Sequence, residues 1–128
     1  MKPTWLTNPE VLALHAEALA QFGGAAGVRD LSLLESALAK PLNLMAYGKD
    51  ISLFDLAAAY CIGIARGHPF VDGNKRTAFL AAAVFLDLNG YEIGPQEADV
   101  VATMIQTAEG RLDQVRLSVW FRRWASKK

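Results

Sequence analysis

Gly67-His68-Pro69-Phe70-Val71-Asp72-Gly73-Asn74-Lys75-Arg76-Thr77-Ala78 lies between two long apolar runs, Leu56 to Ala65 and Ala78 to Leu86. Each run is apolar on nearly every side when wound as a helix, and such helices are the central ones of a soluble domain. Pro69 stops the first helix just after His68, because a proline ring clashes with the preceding turn and offers no N–H. The joining loop then gathers a histidine, an acid, an asparagine, two cations and two glycines. A plain surface connection needs no such mixture.

Outward from this core, the spacing predicts four further helices. Asn8 as cap and Pro9 at the first helical position open one that carries Glu10 to Phe22 and stops at Gly23-Gly24. Asp30 or Ser32 caps a second, with Ser32-Leu33-Leu34-Glu35 reading as a capping box and Pro41 as the stop. Leu42 to Asp50 has no clean period and reads as a loop or short hairpin. Ser52-Leu53-Phe54-Asp55 is a capping box for the first central helix, which runs to about Arg66. The second runs from Lys75, capped by Asn74, to about Leu88, and Gly90 ends it. Tyr91 to Gly94 reads as a short extended piece. Pro95 starts a fifth helix ending near Gly110, and a last one spans Asp113 to Ala125, with Val115, Val119, Trp120 and Trp124 as its core stripe. Six helices without a strand series, repeat or internal linker make an all-α single domain over residues 1–128.

Composition narrows the function. A chain of 128 residues that is 52% hydrophobic buries a substantial core, yet no apolar run approaches the roughly 20 residues of a membrane span. The start, Met1-Lys2-Pro3-Thr4-Trp5, lacks the apolar stretch of a signal peptide. Cys61 is the single cysteine and has no internal disulfide partner, so the expected compartment is the cytoplasm. Thirteen basic and thirteen acidic side chains give zero formal charge, whereas duplex binders carry a basic surplus to neutralise phosphates. Arg122, Arg123, Lys127 and Lys128 read as a solvated helix end, where cations suit the dipole. No direct nucleic-acid binding and no membrane partner are expected.

The loop itself points to phosphate chemistry. A helix start preceded by glycine presents its first N–H groups to an anion. Lys75 and Arg76 sit in that first turn, where the positive dipole end disfavours each cation by roughly 0.3–1 kcal/mol. A bound phosphate would offset the penalty; alternatively both side chains bend out into water. His68 is suited to be a neutral base that takes a proton from an attacking hydroxyl. Asp72 offers the kind of oxygen that Mg2+ takes alongside substrate phosphates. Phe70 is the apolar peg of the loop, His15 an ordinary helix histidine in local packing, and Cys61 buried and inert. Two histidines and one cysteine spread over separate helices do not make a zinc site. A P-loop would follow a strand and place its lysine differently.

His68 through Ala78 resembles the signature loop of the Fic/Doc family, in particular its Doc (death-on-curing) toxins. The likeness extends upstream through Phe22-Gly23-Gly24, Gly27-Val28-Arg29-Asp30 and Leu33-Leu34-Glu35-Ser36-Ala37-Leu38. The resemblance implies a helical Fic fold and transfer of a phosphate-containing group from a nucleotide to a protein hydroxyl. It makes His68 the general base, Asp72 the Mg2+ ligand, and Asn74, Lys75, Arg76 and the Gly73 backbone the nucleotide-binding set, with ATP or another nucleotide as donor. Asn43 to Gly48 falls where the family has a target-docking flap, which singles out Asn43 and Tyr47.

Two departures bear on the chemistry. AMP-transferring members usually have glycine in place of Lys75 and a second arginine in place of Phe79. Both changes resemble Doc, which is similar to a kinase using the nucleotide in a reversed pose to phosphorylate a threonine of elongation factor Tu. Phosphoryl transfer is therefore favoured over AMP transfer on the same residues, and a catalytically silent binding module is the reading from another class. The family's inhibitory helix carries Ser/Thr-x-x-x-Glu-Gly/Asn. The only glutamate followed by either residue is Glu109, and Ile105 stands four before it. The resemblance then implies an antitoxin supplied in trans.

Overall fold

A computed structural model describes all residues, 1–128. Six helices follow in order: α1 (Asn8–Phe22), α2 (Leu31–Tyr47), α3 (Leu53–Gly67), α4 (Asn74–Leu88), α5 (Glu97–Ala108) and α6 (Gln114–Trp124). Two three-residue strands, β1 (Tyr91–Ile93) and β2 (Ala125–Lys127), pair antiparallel with Glu92 opposite Ser126. The all-α expectation holds with this one small addition. No helix is long and apolar enough to cross a membrane.

Helix α3 is the axis of the molecule. Leu56 to Cys61, Gly63, Ile64 and Ala65 are all buried, and α2, α4, α5 and α6 pack around it. Its run of alanines lets these neighbours approach closely. At Gly63 a Cβ would lie 3.0 Å from the Ala37 carbonyl oxygen of α2, so glycine there is what seats one helix on the other. Larger side chains from outside then fill the core: Phe85, Leu86, Leu117 and Phe121 are fully buried.

The helix ends differ from expectation in instructive ways. Thr7, not Asn8, caps α1, with Glu10 completing the reciprocal box. Asp30 caps α2 through its side chain, so Ser32 lies inside the helix. Pro41 does not stop α2; it is buried inside the helix, which continues to Tyr47. An interior proline cannot bond the carbonyl four residues back and costs about 3 kcal/mol. That carbonyl belongs to Ala37 and faces Gly63, and burial of Pro41 with packing of Leu44 and Met45 on the core holds the helix together. The expected loop at Leu42–Asp50 is therefore largely helix. Pro95 precedes α5 rather than starting it, since Gln96 is the cap.

Helix α6 keeps part of its expected core stripe, since Trp120 is buried and Trp124 packs against the core. Val115 and Val119 are exposed, and Leu117, Ser118, Trp120 and Phe121 are buried. The i, i+3, i+4 set with the larger volumes faces the core. The basic cluster is partly engaged: Arg122 lies 4.6 Å over the Phe54 ring and Lys128 pairs with Asp87 at 2.9 Å.

Candidate active site

The chain leaves α3 through an unusual residue. His68 is the C-cap in the left-handed region, φ 50°, ψ 54°, a conformation that costs a non-glycine residue about 1–2 kcal/mol. The segment before α2 holds it there. Arg29 donates from Nε to the His68 carbonyl at 2.7 Å and from Nη2 to the Gly67 carbonyl at 3.2 Å. The backbone N–H groups of Arg29 and Asp30 both donate to the Pro69 carbonyl, and that of Val71 donates to the Gly27 carbonyl. The His68 side chain is left exposed at the edge of a cleft of about 550 Å³.

Phe70 is fully buried, as its role of peg requires. Its ring stacks on His15 with centroids 3.8 Å apart and planes 7° from parallel. Asn74 grips the same residue from the other side. Its Oδ1 accepts from the Phe70 N–H and its Nδ2 donates to the Phe70 carbonyl, both at 3.0 Å. The Asn74 side chain is thus neither the cap of α4 nor free to meet a ligand; only its backbone N–H is open. The cap position belongs to Gly73 at φ 77°, with no side-chain cap bond. The N–H groups of Asn74, Lys75 and Arg76 have no acceptor in the chain.

The Asp72 carboxylate accepts from the Gly73 N–H at 2.9 Å and from the Ala25 N–H at 3.2 Å. The Gly73 N–H is therefore already engaged, and phosphate contact through that group is excluded while the bond lasts. Gly24, at φ 120°, lies so close that a Cβ would come within 2.8 Å of Asp72 Oδ2. Lys75 is exposed in the cleft, as the solvated alternative required. Arg76 is not: its guanidinium lies 4.1 Å over the Phe22 ring and pairs with Glu97 of α5.

His68, Asp72, Gly73, Asn74, Lys75 and Arg76 thus line one cleft, closed on the far side by Val100, Val101, Met104 and Ile105 of α5. Asn43 and Tyr47 do not line it. They stand on the exposed end of α2, where Tyr47 is 88% accessible. Glu109 ends α5 and pairs with Arg111 at 2.7 Å, also away from the cleft lining. Phe79 packs edge-on against Trp120 of α6. Cys61 is buried beside Met104, and burial raises its thiol far above the ordinary range, against the pull of Arg66.

No group of three or more His, Cys, Asp or Glu side chains converges anywhere in the chain. A metal at this cleft would have one carboxylate, Asp72, to hold it, with substrate phosphates completing its shell, a common habit of Mg2+. Asp72 fits such a role: it lines the cleft, and each of its oxygens accepts a single N–H.

Four participants escape the sequence reading: His15, Ala25, Arg29 in its contact with His68, and Glu97. Their partners lie 57, 47, 39 and 21 residues away, so no local spacing marks them.

A helical fold of this form, with its cleft built on the loop between the two central helices, defines a class. The profile of the Fic/DOC family matches residues 5–86, and the chain belongs to that family. Among individual proteins, it is 40% identical over 117 residues to "Toxin Doc" of Mycolicibacterium smegmatis, covering 87% of each chain. It is 37% identical over 97 residues to "Protein kinase doc" of Escherichia phage P1, covering 74% of this chain and 77% of the other.

Proposed function

We propose that this protein is a Doc-like toxin that transfers the γ-phosphate of ATP to a serine or threonine hydroxyl of a translation protein, elongation factor Tu being the first target to test. The observation that carries the reading is the juxtaposition, in one cleft, of the exposed His68 imidazole with an uncapped helix start and a carboxylate. Each part has a task. His68 takes the proton from the attacking hydroxyl. The open N–H groups of Asn74, Lys75 and Arg76, with the Lys75 ammonium, bind the phosphates, and the Arg76 guanidinium joins them by exchanging Glu97 for a phosphate oxygen. Asp72 would hold Mg2+, which supplies charge neutralisation at the phosphates when bound.

The names of the two relatives support both halves of this reading, the toxin and the kinase. Phe79, turned against Trp120, offers no second arginine to a phosphate, which favours phosphoryl over adenylyl transfer. A toxin of this kind works in the cytoplasm and is neutralised by an antitoxin supplied in trans. The exposed end of α2, with Asn43 and Tyr47, is the surface to test for target docking.

The test is a paired labelling assay on elongation factor Tu and on whole lysate, with label on the γ- or the α-phosphate of ATP and a His68→Ala control. His68-dependent γ-label establishes the kinase and its target band. α-Label instead makes the protein an AMP transferase. Label in neither arm, with no ATP–Mg2+ binding, leaves a silent binding module.

A further inference from the structure

We propose that His15, on α1, is a positioning residue for the Asp72 carboxylate, acting through a single peptide plane. The inference rests on the reading of Asp72 as the Mg2+ ligand. His15 is buried, with 6% of its surface accessible, and its Nε2 lies 2.8 Å from the Asp72 carbonyl oxygen. A carbonyl only accepts, so Nε2 carries the proton and donates. That carbonyl and the Gly73 N–H belong to the same rigid peptide unit. The N–H end of the unit donates to Asp72 Oδ1 at 2.9 Å. Turning the plane would break both bonds together, so the imidazole fixes the group that aims the carboxylate.

Two further contacts show that this is a built arrangement. The His15 ring is held by its parallel stack on Phe70, whose backbone is in turn gripped by Asn74. On the other side, a Cβ at Gly73 would meet His15 Nε2 at 3.6 Å and Leu19 Cδ2 at 3.3 Å. Glycine at this position therefore answers both the positive φ and the close approach of α1. The imidazole meets Asp72 through the carbonyl oxygen and not through the carboxylate, so it positions rather than reacts.

The test separates the ring from the donor. His15→Phe keeps an aromatic ring for Phe70 and loses the N–H; His15→Gln loses the stack and keeps an amide donor near the Nε2 position. ATP affinity is measured by calorimetry with Mg2+ and with a chelator. Loss of an outer-shell partner typically lowers metal affinity about 10–100-fold. His15→Phe should accordingly lose about tenfold of the gain in ATP affinity that Mg2+ confers, with its metal-free ATP affinity unchanged. His15→Gln should recover most of that gain, and excess Mg2+ should restore transfer in His15→Phe.

A His15→Phe protein with the full Mg2+ gain overturns the inference and leaves the metal reading intact. A wild-type protein with no Mg2+ gain overturns both. Should His15→Phe fail to fold, His15→Gln decides alone: an undiminished melting temperature with the gain lost would show that the donor does not carry the effect.

Discussion

The starts of α3 and α4 handle the same physical problem in opposite ways. Every helix begins with N–H groups that lack intrahelical acceptors. At α3 a reciprocal side-chain box satisfies two of them, at the cap and at Asp55. Ser52 accepts from the Asp55 N–H, and Asp55 accepts from the Ser52 N–H at 2.9 Å. The Ser118 hydroxyl of α6 adds a bond to Asp55 at 2.7 Å. At α4 a glycine stands at the cap, the neighbouring asparagine turns back to hold Phe70, and two cations occupy the first turn. One start is closed by side chains at the cap and at the third residue; the other leaves the N–H groups of Asn74, Lys75 and Arg76 open to the cleft.

Substitutions can break this contrast at measurable levels. The largest effect should come at the reacting edge of the open start. His68→Ala is expected to lower the transfer rate roughly 10²–10⁴-fold, the usual contribution of a general base. Thermal unfolding should change little, because alanine at φ 50° is strained as histidine is and no side-chain hydrogen bond of His68 is lost. Lys75→Ala comes next. Losing one charge-assisted contact should weaken ATP binding about tenfold, yet removing a cation from the positive dipole end should raise stability by about 0.3 kcal/mol. Calorimetric binding and chemical denaturation on the same sample would test both signs.

At the closed start the pattern should invert. Ser52→Ala removes a cap and should cost about 1 kcal/mol of stability, with ATP affinity unaltered. A change in ATP binding there would mean that the two helix starts are coupled through α3 and are not separate devices.

How much of this could be read from the sequence follows from where the partners lie. His68, Asp72, Lys75 and Arg76 stand within nine residues, so one loop delivers them to one cleft and local reasoning finds them. The two central helices are legible for the same reason, being contiguous apolar runs. What the sequence hides is decided by contacts across the chain. Pro41 reads as a stop because helix propensity is local, while its tolerance depends on core packing and the Gly63 approach. Asn74 reads as a cap because its neighbours suggest one, whereas its amide is drawn to Phe70. Val115 and Val119 fit a helical stripe as well as Leu117 and Phe121 do; packing volume chose between them. His15 looks like any helix histidine until Asp72 is brought beside it. Strand β2 has no sequence signal beyond its partner, β1.

The finest test of the contrast lies in the pH dependence of the closed start. Burial works against ionisation of Asp55, but the Ser52 N–H, the Ser118 and Ser52 hydroxyls and the charge of Arg122 outweigh it and hold the carboxyl below its ordinary range. A carboxylate with a depressed folded value contributes stability that is present above its unfolded value and lost as pH falls through the folded one. Ser118→Ala removes one of the donors responsible, so it raises the folded value toward the unfolded. The variant should be less stable than wild type by about 0.5–1 kcal/mol at neutral pH. That difference should shrink as pH drops below the ordinary aspartate value of about 3.9, because protonating Asp55 removes the anion that Ser118 serves. Every other titrating group acts alike in the two proteins and cancels from the difference. Urea unfolding of both at neutral and acid pH therefore isolates one bond. A gap that stayed constant with pH would assign Ser118 to packing alone, and the Asp55 carboxylate would then rest on the Ser52 box and the charge of Arg122.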